Sequence, residues 1–475
     1  MNKTSYSKAT AIFMAILILL CTLTVNSAFA ENDADGFEYY IDKGEVTITG
    51  YTGSDTKLVV PEAIEGYAVT TIDAWFYNTC ENMTSIEIPE SITSINSDAF
   101  HFCTYLTDII VDDNNSVYTS EDGILFSKDM SQLITCPEGS TLSSYTIPSS
   151  VEIIYDNAFY SNSSLTEVII PESVYSIGSE AFHFCTNLTN IIVSENNYEY
   201  TSVDGVVFSK DMTNLYIYPQ GKTDELYSVP EGVKNICGYA FFGNRNLKSV
   251  AIPDGVENIY RRAFSMCENL TDVVFSNSLT YIGESAFYSC TSIKIIVLPE
   301  GLTGIDDAAF KDCVNLENIV IPDGVAYLGP NVFEYCESLT DITIPESVET
   351  MGNYTFMRCS NLETVTIKNG LTSIPTGTFL GCENLKSISI PESVTTIDEQ
   401  AFSGCTSLNT AEIPYSVTTI STEAFQNCKS LAEINISKNN SAYTSVDGVL
   451  FSKDMSELII YPCGKTDSSS QFPMV

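Results

Sequence analysis

Apolar and polar positions follow one pattern along this chain, and the pattern recurs every 23 residues. In a typical unit the apolar positions are Cys382, Leu385, Ile388, Ile390, Val394, Ile397, Ala401 and Phe402. An aromatic position marks thirteen copies: Tyr77, Phe100, Phe159, Phe182, Phe241, Phe264, Phe287, Phe310, Phe333, Phe356, Phe379, Phe402 and Phe425. A fixed period in the twenties predicts a repeat solenoid, because so short a unit must stack on its neighbours to bury its apolar face.

The spacing within a unit predicts short strands joined by tight turns. Ile388 and Ile390 alternate with polar serines, which is the period of a strand with one buried face. Pro391 lacks the N–H that would extend the strand, so the strand ends there. Val394 and Ile397 mark a second short apolar run. Thirteen such units, stacked at the strand spacing of about 4.8 Å, would form a rod about 60 Å long.

The repeat Cys-x-x-Leu-x-x-Ile-x-Ile-Pro-x-x-Val-x-x-Ile-x-x-x-Ala-Phe resembles that of BspA-like leucine-rich-repeat surface proteins. The resemblance covers nearly the whole chain after the first thirty residues. It implies a right-handed leucine-rich-repeat coil with short parallel strands and about thirteen coils. It also implies a secreted or cell-surface location, and adhesion is the role in which known members are implicated. No catalytic residues come with this family.

The chain divides into three regions. Two lysines, an apolar run and Ala28-Phe29-Ala30 predict a signal peptide over residues 1–30, cleaved after Ala30. Residues 31–70 are expected to form capping strands, and residues 71–475 the solenoid. No later segment is long and apolar enough to cross a membrane.

Three insertions interrupt the repeat at residues 112–147, 194–229 and 437–472. They share the sequence Tyr-Thr-Ser-x-Asp-Gly, then an apolar run, then Ser-Lys-Asp-Met. Two apolar runs around a polar turn predict a β-hairpin in each, within one oversized coil that stays in the stack. The third insertion brings the chain to Val475 in mid-repeat with no recognisable cap. An uncapped end exposes core and strand edge, which predicts either a truncated reading frame or end-to-end self-association there.

Composition and motifs exclude several functional classes. The formal net charge is -40, and only four arginines occur, so nucleic acid and anionic lipid are poor partners. No phosphate loop or zinc motif is present. His101 with Cys103, and His183 with Cys185, are the only histidine–cysteine pairs, and they occupy equivalent places in the repeat. We therefore expect no catalysis, no cofactor, and no metal at these histidines and cysteines.

Eleven cysteines share one position of the repeat: Cys80, Cys103, Cys185, Cys267, Cys290, Cys313, Cys336, Cys359, Cys382, Cys405 and Cys428. Export invites a disulfide interpretation. Side chains at identical positions of successive coils point in parallel, however, which favours a structural ladder of free buried thiols. Asn162 and Asn244 take the same position after an insertion, as hydrogen-bonding substitutes.

Two rows are candidate surfaces for binding. Glu300, Asp323 and Glu346 follow the turn prolines of consecutive coils, and this acidic edge is either a calcium site or ordinary turn chemistry. A second row faces outward between the two buried strand residues, and its apolar members include Ile169, Ile192, Val274, Val297 and Val320. That row is either a protein-contact stripe or a consequence of β-propensity.

The sequence thus predicts a secreted or cell-surface recognition protein that binds a protein or other host macromolecule through the sheet face of its repeats. The alternative is a structural spacer of the envelope with no specific ligand.

Overall fold

The computed structural model describes residues 31–32, 36–73, 80 and 82–466, and it confirms the predicted repeat solenoid. The fold is a β-solenoid of about 17 turns with about 23 residues per turn, and the described residues contain no helix. The number of turns exceeds thirteen because the N-terminal strands and the insertions add turns of their own. The predicted signal peptide and residues 467–475 lie outside the described residues.

Each regular turn places its first strand in one column, which we call the first column. In a four-residue strand such as β31 (Asp341–Ile344), the two inward residues Ile342 and Ile344 are buried and alternate with exposed ones. Strands of successive turns pair in parallel at identical positions, so that Val250 lies beside Val273. The column consists of β4 (Lys57–Val59), β7 (Ser85–Ile88), β9 (Asp108–Val111), β13 (Ser144–Thr146), β15 (Glu167–Ile170), β17 (Asn190–Val193), β21 (Leu226–Ser228), β23 (Ser249–Ala251), β25 (Asp272–Val274), β27 (Ile295–Val297), β29 (Asn318–Val320), β31 (Asp341–Ile344), β33 (Thr364–Ile367), β35 (Ser387–Ser389), β37 (Thr410–Ile413) and β39 (Glu433–Ile436).

A second column is formed by the short strand that follows the proline turn. Its pairs are again parallel and in register, as between Ile259 and Ile282. It consists of β6 (Tyr67–Ile72), β8 (Ser94–Ile95), β14 (Ile153–Ile154), β16 (Ser176–Ile177), β22 (Asn235–Ile236), β24 (Asn258–Ile259), β26 (Tyr281–Ile282), β28 (Gly304–Ile305), β30 (Tyr327–Leu328), β32 (Thr350–Met351), β34 (Ser373–Ile374), β36 (Thr396–Ile397) and β38 (Thr419–Ile420).

The Ala-Phe corner closes each turn and is also hydrogen-bonded between turns. The amides of Arg262, Phe264 and Met266 donate to carbonyls of the next turn at 2.7–2.8 Å. Arg262 and Met266 have positive φ values of 54° and 61°, and this alternation turns every second amide toward the neighbouring turn. Inside the corner, the phenylalanine rings from Phe241 to Phe425 stack with centroids 4.6–5.8 Å apart and nearly parallel planes. This separation lies within the range of favourable offset stacking.

Four further strands precede or flank the first turns: β1 (Glu31–Asn32), β2 (Phe37–Asp42), β3 (Glu45–Tyr51) and β5 (Ala63–Ile64). β2 and β3 form an antiparallel hairpin, and β3 pairs in parallel with β6 of the second column. The hairpin therefore covers the N-terminal edge of that column, within the region 31–70 where the sequence places capping strands.

Each insertion contains three antiparallel strands, one more than the predicted hairpin. They are β10 (Tyr118–Glu121), β11 (Ile124–Ser127) and β12 (Gln132–Thr135), then β18 (Tyr200–Val203), β19 (Val206–Ser209) and β20 (Asn214–Ile217), and finally β40 (Tyr443–Val446), β41 (Val449–Ser452) and β42 (Leu458–Ile460). The last strand of the first two insertions joins the second column, because β12 pairs with β14 and β20 with β22. These insertions thus remain within the stack.

The middle strand of an insertion is a wall between two cores. Val206 and Phe208 of β19 belong to the long core that continues to Ile460, whereas Val207 belongs to the core before it. All three side chains are fully buried. Successive residues of a strand point to opposite faces, so a strand that is apolar throughout can close one core and open the next.

Candidate functional site

The outward positions of the first column form what we call the front face. Four apolar side chains stand out on three successive turns of it: Val274 of β25, Ile295 and Val297 of β27, and Val320 of β29. They are 62%, 60%, 75% and 67% exposed. We call this group the valine patch. Apolar side chains are often exposed singly, but four on adjacent strands form a contiguous apolar surface.

The structure brings together only part of the predicted stripe. Ile169 and Ile192 lie on neighbouring strands β15 and β17, but the second insertion and Ala251 separate them from Val274. Ile169 is half-buried and Ile192 is 39% exposed, so these two present less apolar surface than the valine patch. The turn between β18 and β19 lies against β17, where the Ile191 amide donates to the Gly205 carbonyl at 3.2 Å.

The sequence interpretation missed Ile295. It considered only the central outward position of each strand, whereas Ile295 takes the preceding outward position, which Asp272 and Asn318 occupy in the adjacent turns. The sequence does contain a signal for Ile295, because in the alternating period of the strand it precedes buried Ile296 and therefore faces outward.

Charged groups flank the valine patch on both sides. On one side Lys294 contacts Glu317 at 3.0 Å, an exposed ion pair between equivalent positions of successive turns. On the other side lies the acidic edge, where Glu300, Asp323 and Glu346 are all exposed. Among the described residues, no three histidine, cysteine, aspartate or glutamate side chains are grouped so that they could hold a metal ion. The patch is therefore an apolar surface with a mainly acidic rim.

An open groove of about 750 Å³ lies further along the front face. Lys368, Ser389, Glu412 and Lys438 are among its lining residues, together with Tyr415, which is half exposed. Lys368 stands where neighbouring turns have the strand-ending proline, and its amide donates to the Ile344 carbonyl at 3.0 Å. The replacement of a proline adds one bond to the strand, and the next position, which is acidic in the adjacent turns, is Asn369 here.

The cysteine position forms a buried column. Cys267, Cys290, Cys313, Cys336, Cys359, Cys382 and Cys405 are free and have no exposed surface. Each thiol donates to the phenylalanine carbonyl of the preceding turn, at 3.0–3.3 Å. Burial raises the pKa of Cys267 and Cys313 to about 12, so these thiols stay protonated at neutral pH and act as hydrogen-bond donors.

The two asparagines at the same position also bind neighbouring backbone. The side-chain amide of Asn162 donates to the Pro137 carbonyl at 2.9 Å, and the Asn244 carbonyl oxygen accepts from the Leu247 amide at 2.9 Å.

One part of the thiol prediction is wrong. Cys80 and Cys103 form a disulfide, although the sequence interpretation placed both among the free thiols. Their Cα atoms are 5.2 Å apart, within the usual range for a bridge. Stacking of equivalent residues thus brings neighbouring cysteines close enough to bond, and the parallel direction of their side chains does not prevent it.

The two histidines are packed as aromatic groups. His101 stacks on Tyr160 with ring centroids 4.5 Å apart, and His183 stacks on Phe242 at 4.4 Å. Burial, with a smaller contribution from Arg262, lowers the pKa of His183 to about 3. The neighbouring Cys185 thiol donates to the Phe159 carbonyl at 2.9 Å. Neither histidine–cysteine pair has the arrangement of a base beside an activated thiol.

These features define the class of the protein: a leucine-rich-repeat solenoid built on stacked phenylalanines and thiols. The model of the BspA-type leucine-rich repeat region matches residues 70–211, 222–340 and 326–453, which is most of the chain. The chain belongs to this family. No curated protein matches it. No helix able to span a membrane is present in the described part of the chain.

Several solved structures are similar to this chain. A leucine-rich cell surface protein from Faecalibacterium prausnitzii is 26% identical, with 94% of this chain and 100% of that one covered and a TM-score of 0.41. A leucine-rich repeat protein from Bacteroides ovatus is also 26% identical, with 87% and 95% covered and a TM-score of 0.45. The pneumococcal vaccine antigen PcpA is 19% identical, with 93% and 98% covered and a TM-score of 0.41.

Proposed function

We propose that this protein is an exported recognition protein of the cell surface, which binds a macromolecular partner through the front face of its first column. The observation that carries the proposal is the valine patch. Four aliphatic side chains, each at least 60% exposed, lie on consecutive turns of the first column. Membership of a family of surface proteins supports the location.

The chemistry of the patch favours a protein partner. Apolar surface at the centre of a contact supplies affinity when water is excluded, while a charged rim contributes to orientation and association rate. The rim is mainly acidic and the chain carries a net charge of -40, so a partner with a basic rim around an apolar centre fits best.

The test is capture of host extracellular-matrix and cell-surface proteins on the immobilised protein, in parallel with a variant carrying Val274→Thr, Ile295→Thr, Val297→Thr and Val320→Thr. We expect the variant to lose the captured partner. Val59→Thr is the matched control, because Val59 is also an exposed front-face valine but lies on β4, far along the stack. Retention of the same partner by the fourfold variant would exclude the patch as the binding site.

A structural spacer is the second candidate. One core that continues from Val206 to Ile460 supports it, since an unbroken stack of turns suits a stiff rod. A spacer would retain no protein reproducibly in the capture experiment, with or without the valine patch.

A further inference from the structure

The two ends of the cysteine column differ. At the N-terminal end, Cys80 and Cys103 are joined. At the other end Cys428 is the last thiol of the column within the described residues, and it is buried with its Sγ 3.1 Å from the Phe402 carbonyl oxygen. A second cysteine, Cys463, follows the third insertion strand β42 and is exposed.

Backbone contacts hold Cys463 beside the turn that carries Cys428. The amide of Gly464 donates to the Leu431 carbonyl at 2.8 Å. Gly464 is packed so closely that a Cβ there would lie 2.7 Å from the Lys429 carbonyl oxygen. The segment of Cys463 is therefore fixed against residues 429–431, which directly follow Cys428.

The first insertion shows where a side chain at the position of Cys463 can reach. Glu138 is the equivalent residue, since Gly139 donates to the Leu106 carbonyl at 2.9 Å just as Gly464 donates to Leu431. The Glu138 carboxylate accepts from the Phe102 amide at 2.6 Å, and Phe102 directly precedes Cys103, the counterpart of Cys428. In the first insertion the side chain at this position thus reaches the backbone beside a column cysteine of the preceding turn, whereas in the second the Gln220 side chain donates to the Gly243 carbonyl beside Asn244 of the following turn.

We propose that Cys428 and Cys463 form a second, terminal disulfide under oxidising conditions, which fastens the end of the third insertion to the turn beneath it. Burial is the main cause that raises the pKa of the Cys428 thiol to about 12, a hydrogen bond from the Cys405 backbone opposes the shift, and the charge of Cys463 adds a smaller increase.

The chemistry requires an oxidant, and a low-molecular-weight disulfide such as oxidised glutathione suffices. The Cys463 thiolate first attacks one glutathione sulfur, forming a protein–glutathione disulfide and releasing one glutathione thiolate. The Cys428 thiolate then attacks the Cys463 sulfur, and the second glutathione leaves as a thiolate that takes up a proton. Two protein thiols lose two electrons and two protons, and one glutathione disulfide is reduced to two thiols.

Accessibility sets the order of these steps. Cys463 is exposed and reacts first, whereas Cys428 is buried and protonated and must wait for local opening of the last turn. We therefore expect the mixed disulfide to appear first and the internal bridge to replace it.

Peptide mapping by mass spectrometry without reduction, after incubation of the protein with oxidised glutathione, tests this inference. We expect a linked pair of peptides containing Cys428 and Cys463, together with loss of two titratable thiols in denaturant. Cys463→Ser should abolish the link, and Cys237→Ser should leave it intact because Cys237 lies in another part of the stack.

Three outcomes would overturn the proposal. Cys463 could remain bound to glutathione, it could join a second copy of the chain into a dimer on non-reducing gels, or Cys428 could pair with Cys405 instead. A readout that needs no variant is hydrogen exchange: the Gly464 amide should exchange more slowly in the oxidised protein. Equal exchange rates in both forms would contradict the fastening role.

Discussion

Two regions of the stack are stabilised by different contacts. One comprises the turns from Phe241 to Phe425, and the other the turns around the first two insertions. In the first region every turn repeats the same bonds, with one phenylalanine stack, one thiol column and one continuous core. In the second region the core is divided, and the turns on either side of an insertion meet across a wall strand. Regular turns are thus stabilised by the same contacts repeated in every turn, whereas the turns at an insertion depend on side chains that occur only there.

Buried asparagines supply much of this local specificity. Asn115, Asn197 and Asn440 hold equivalent positions, one in each insertion, and each is at most 1% exposed. The Asn197 side-chain amide donates to the carbonyls of Pro171 and Val174 at 2.9 and 2.7 Å. Its carbonyl oxygen accepts from the amides of Glu199 and Tyr200 at 3.0 and 2.8 Å. One side chain thus makes four hydrogen bonds to backbone groups, two in the preceding turn and two within the insertion.

A tyrosine in each insertion completes the second column. The hydroxyls of Tyr118, Tyr200 and Tyr443 accept from the amides of Ile95, Ile177 and Ile420 at 3.0–3.2 Å. In a regular stack these isoleucine amides would meet the next strand of the column. The comparison of the two regions indicates that the stack tolerates an insertion where a side chain hydrogen-bonds the backbone groups that would otherwise pair with the next turn.

The largest expected effect is that of Asn197→Ala. It leaves two carbonyls and two amides buried without partners, and we expect it to destabilise the surrounding turns by about 4 kcal/mol. Urea unfolding followed by hydrogen exchange would locate the loss around the second insertion. Asn196→Ala is the matched control, because the neighbouring Asn196 is exposed and should change stability by less than about 0.5 kcal/mol.

Glu138→Gln compares two insertions directly, because Gln220 occupies the same place in the second one. Burial raises the pKa of Glu138 to about 7, with the Phe102 amide opposing the shift. A folded-state pKa above the usual value means that the protein loses stability as the pH rises from about 4.5 through 7. We expect the variant to be more stable by about 2 kcal/mol at pH 8, allowing for partial solvation, and equal to the original protein at pH 4.

Melting curves at several pH values would measure this effect. If the stability difference between the two proteins did not vary with pH, the Glu138 carboxyl would not be the titrating group. A substitution of exposed Glu121 to Gln, in the same insertion, should leave the pH dependence unchanged.

Phe310→Leu tests the regular region. Leucine keeps most of the buried apolar volume but interrupts a stack in which Phe310 lies 5.3 Å from Phe287 and 5.8 Å from Phe333. We expect a loss of about 1.5 kcal/mol, distributed over neighbouring turns of the same core. Chemical denaturation measures it, and a change confined to a single turn would show that the stack is not cooperative.

The smallest effect is that of Tyr200→Phe. The ring stays in place, but the Ile177 amide loses its acceptor, so we expect a cost of about 1 kcal/mol. Hydrogen exchange of the Ile177 amide should accelerate, while that of Ile282, bonded within the regular second column, should not change. An unaltered rate at Ile177 would mean that water replaces the hydroxyl at no cost.

Periodicity predicted the regular turns well, because each buried position of a unit meets its own counterpart. Ile388, Phe402 and Cys405 therefore report the fold from the sequence alone. Asn197 and Tyr200 gave no comparable signal, since polar residues in an insertion suit a surface loop equally well until their partners in another turn are known. The disulfide between Cys80 and Cys103 was missed because the parallel direction of equivalent side chains was expected to disfavour a bond, although their Cα atoms lie within bonding range.

The candidate site was predictable only in outline. Alternation within the strands indicated that Val274, Val297 and Val320 face outward, and the structure exposes all three. The interruption between Ile192 and Val274 depends on where the second insertion runs, which no local pattern specifies. The 23-residue period reflects the stacking of turns and carries no information about a binding partner.

The middle strands of the first two insertions, β11 and β19, have a consequence for local unfolding. In a repeat array each turn is stabilised by its neighbours, so local unfolding of one turn propagates along the stack until the core is interrupted. β11 and β19 supply such discontinuities, because each serves a separate core with each of its faces. We expect fraying or proteolytic nicking in the first hundred residues to halt at these strands, so that the long distal segment keeps its shape and the surface it presents.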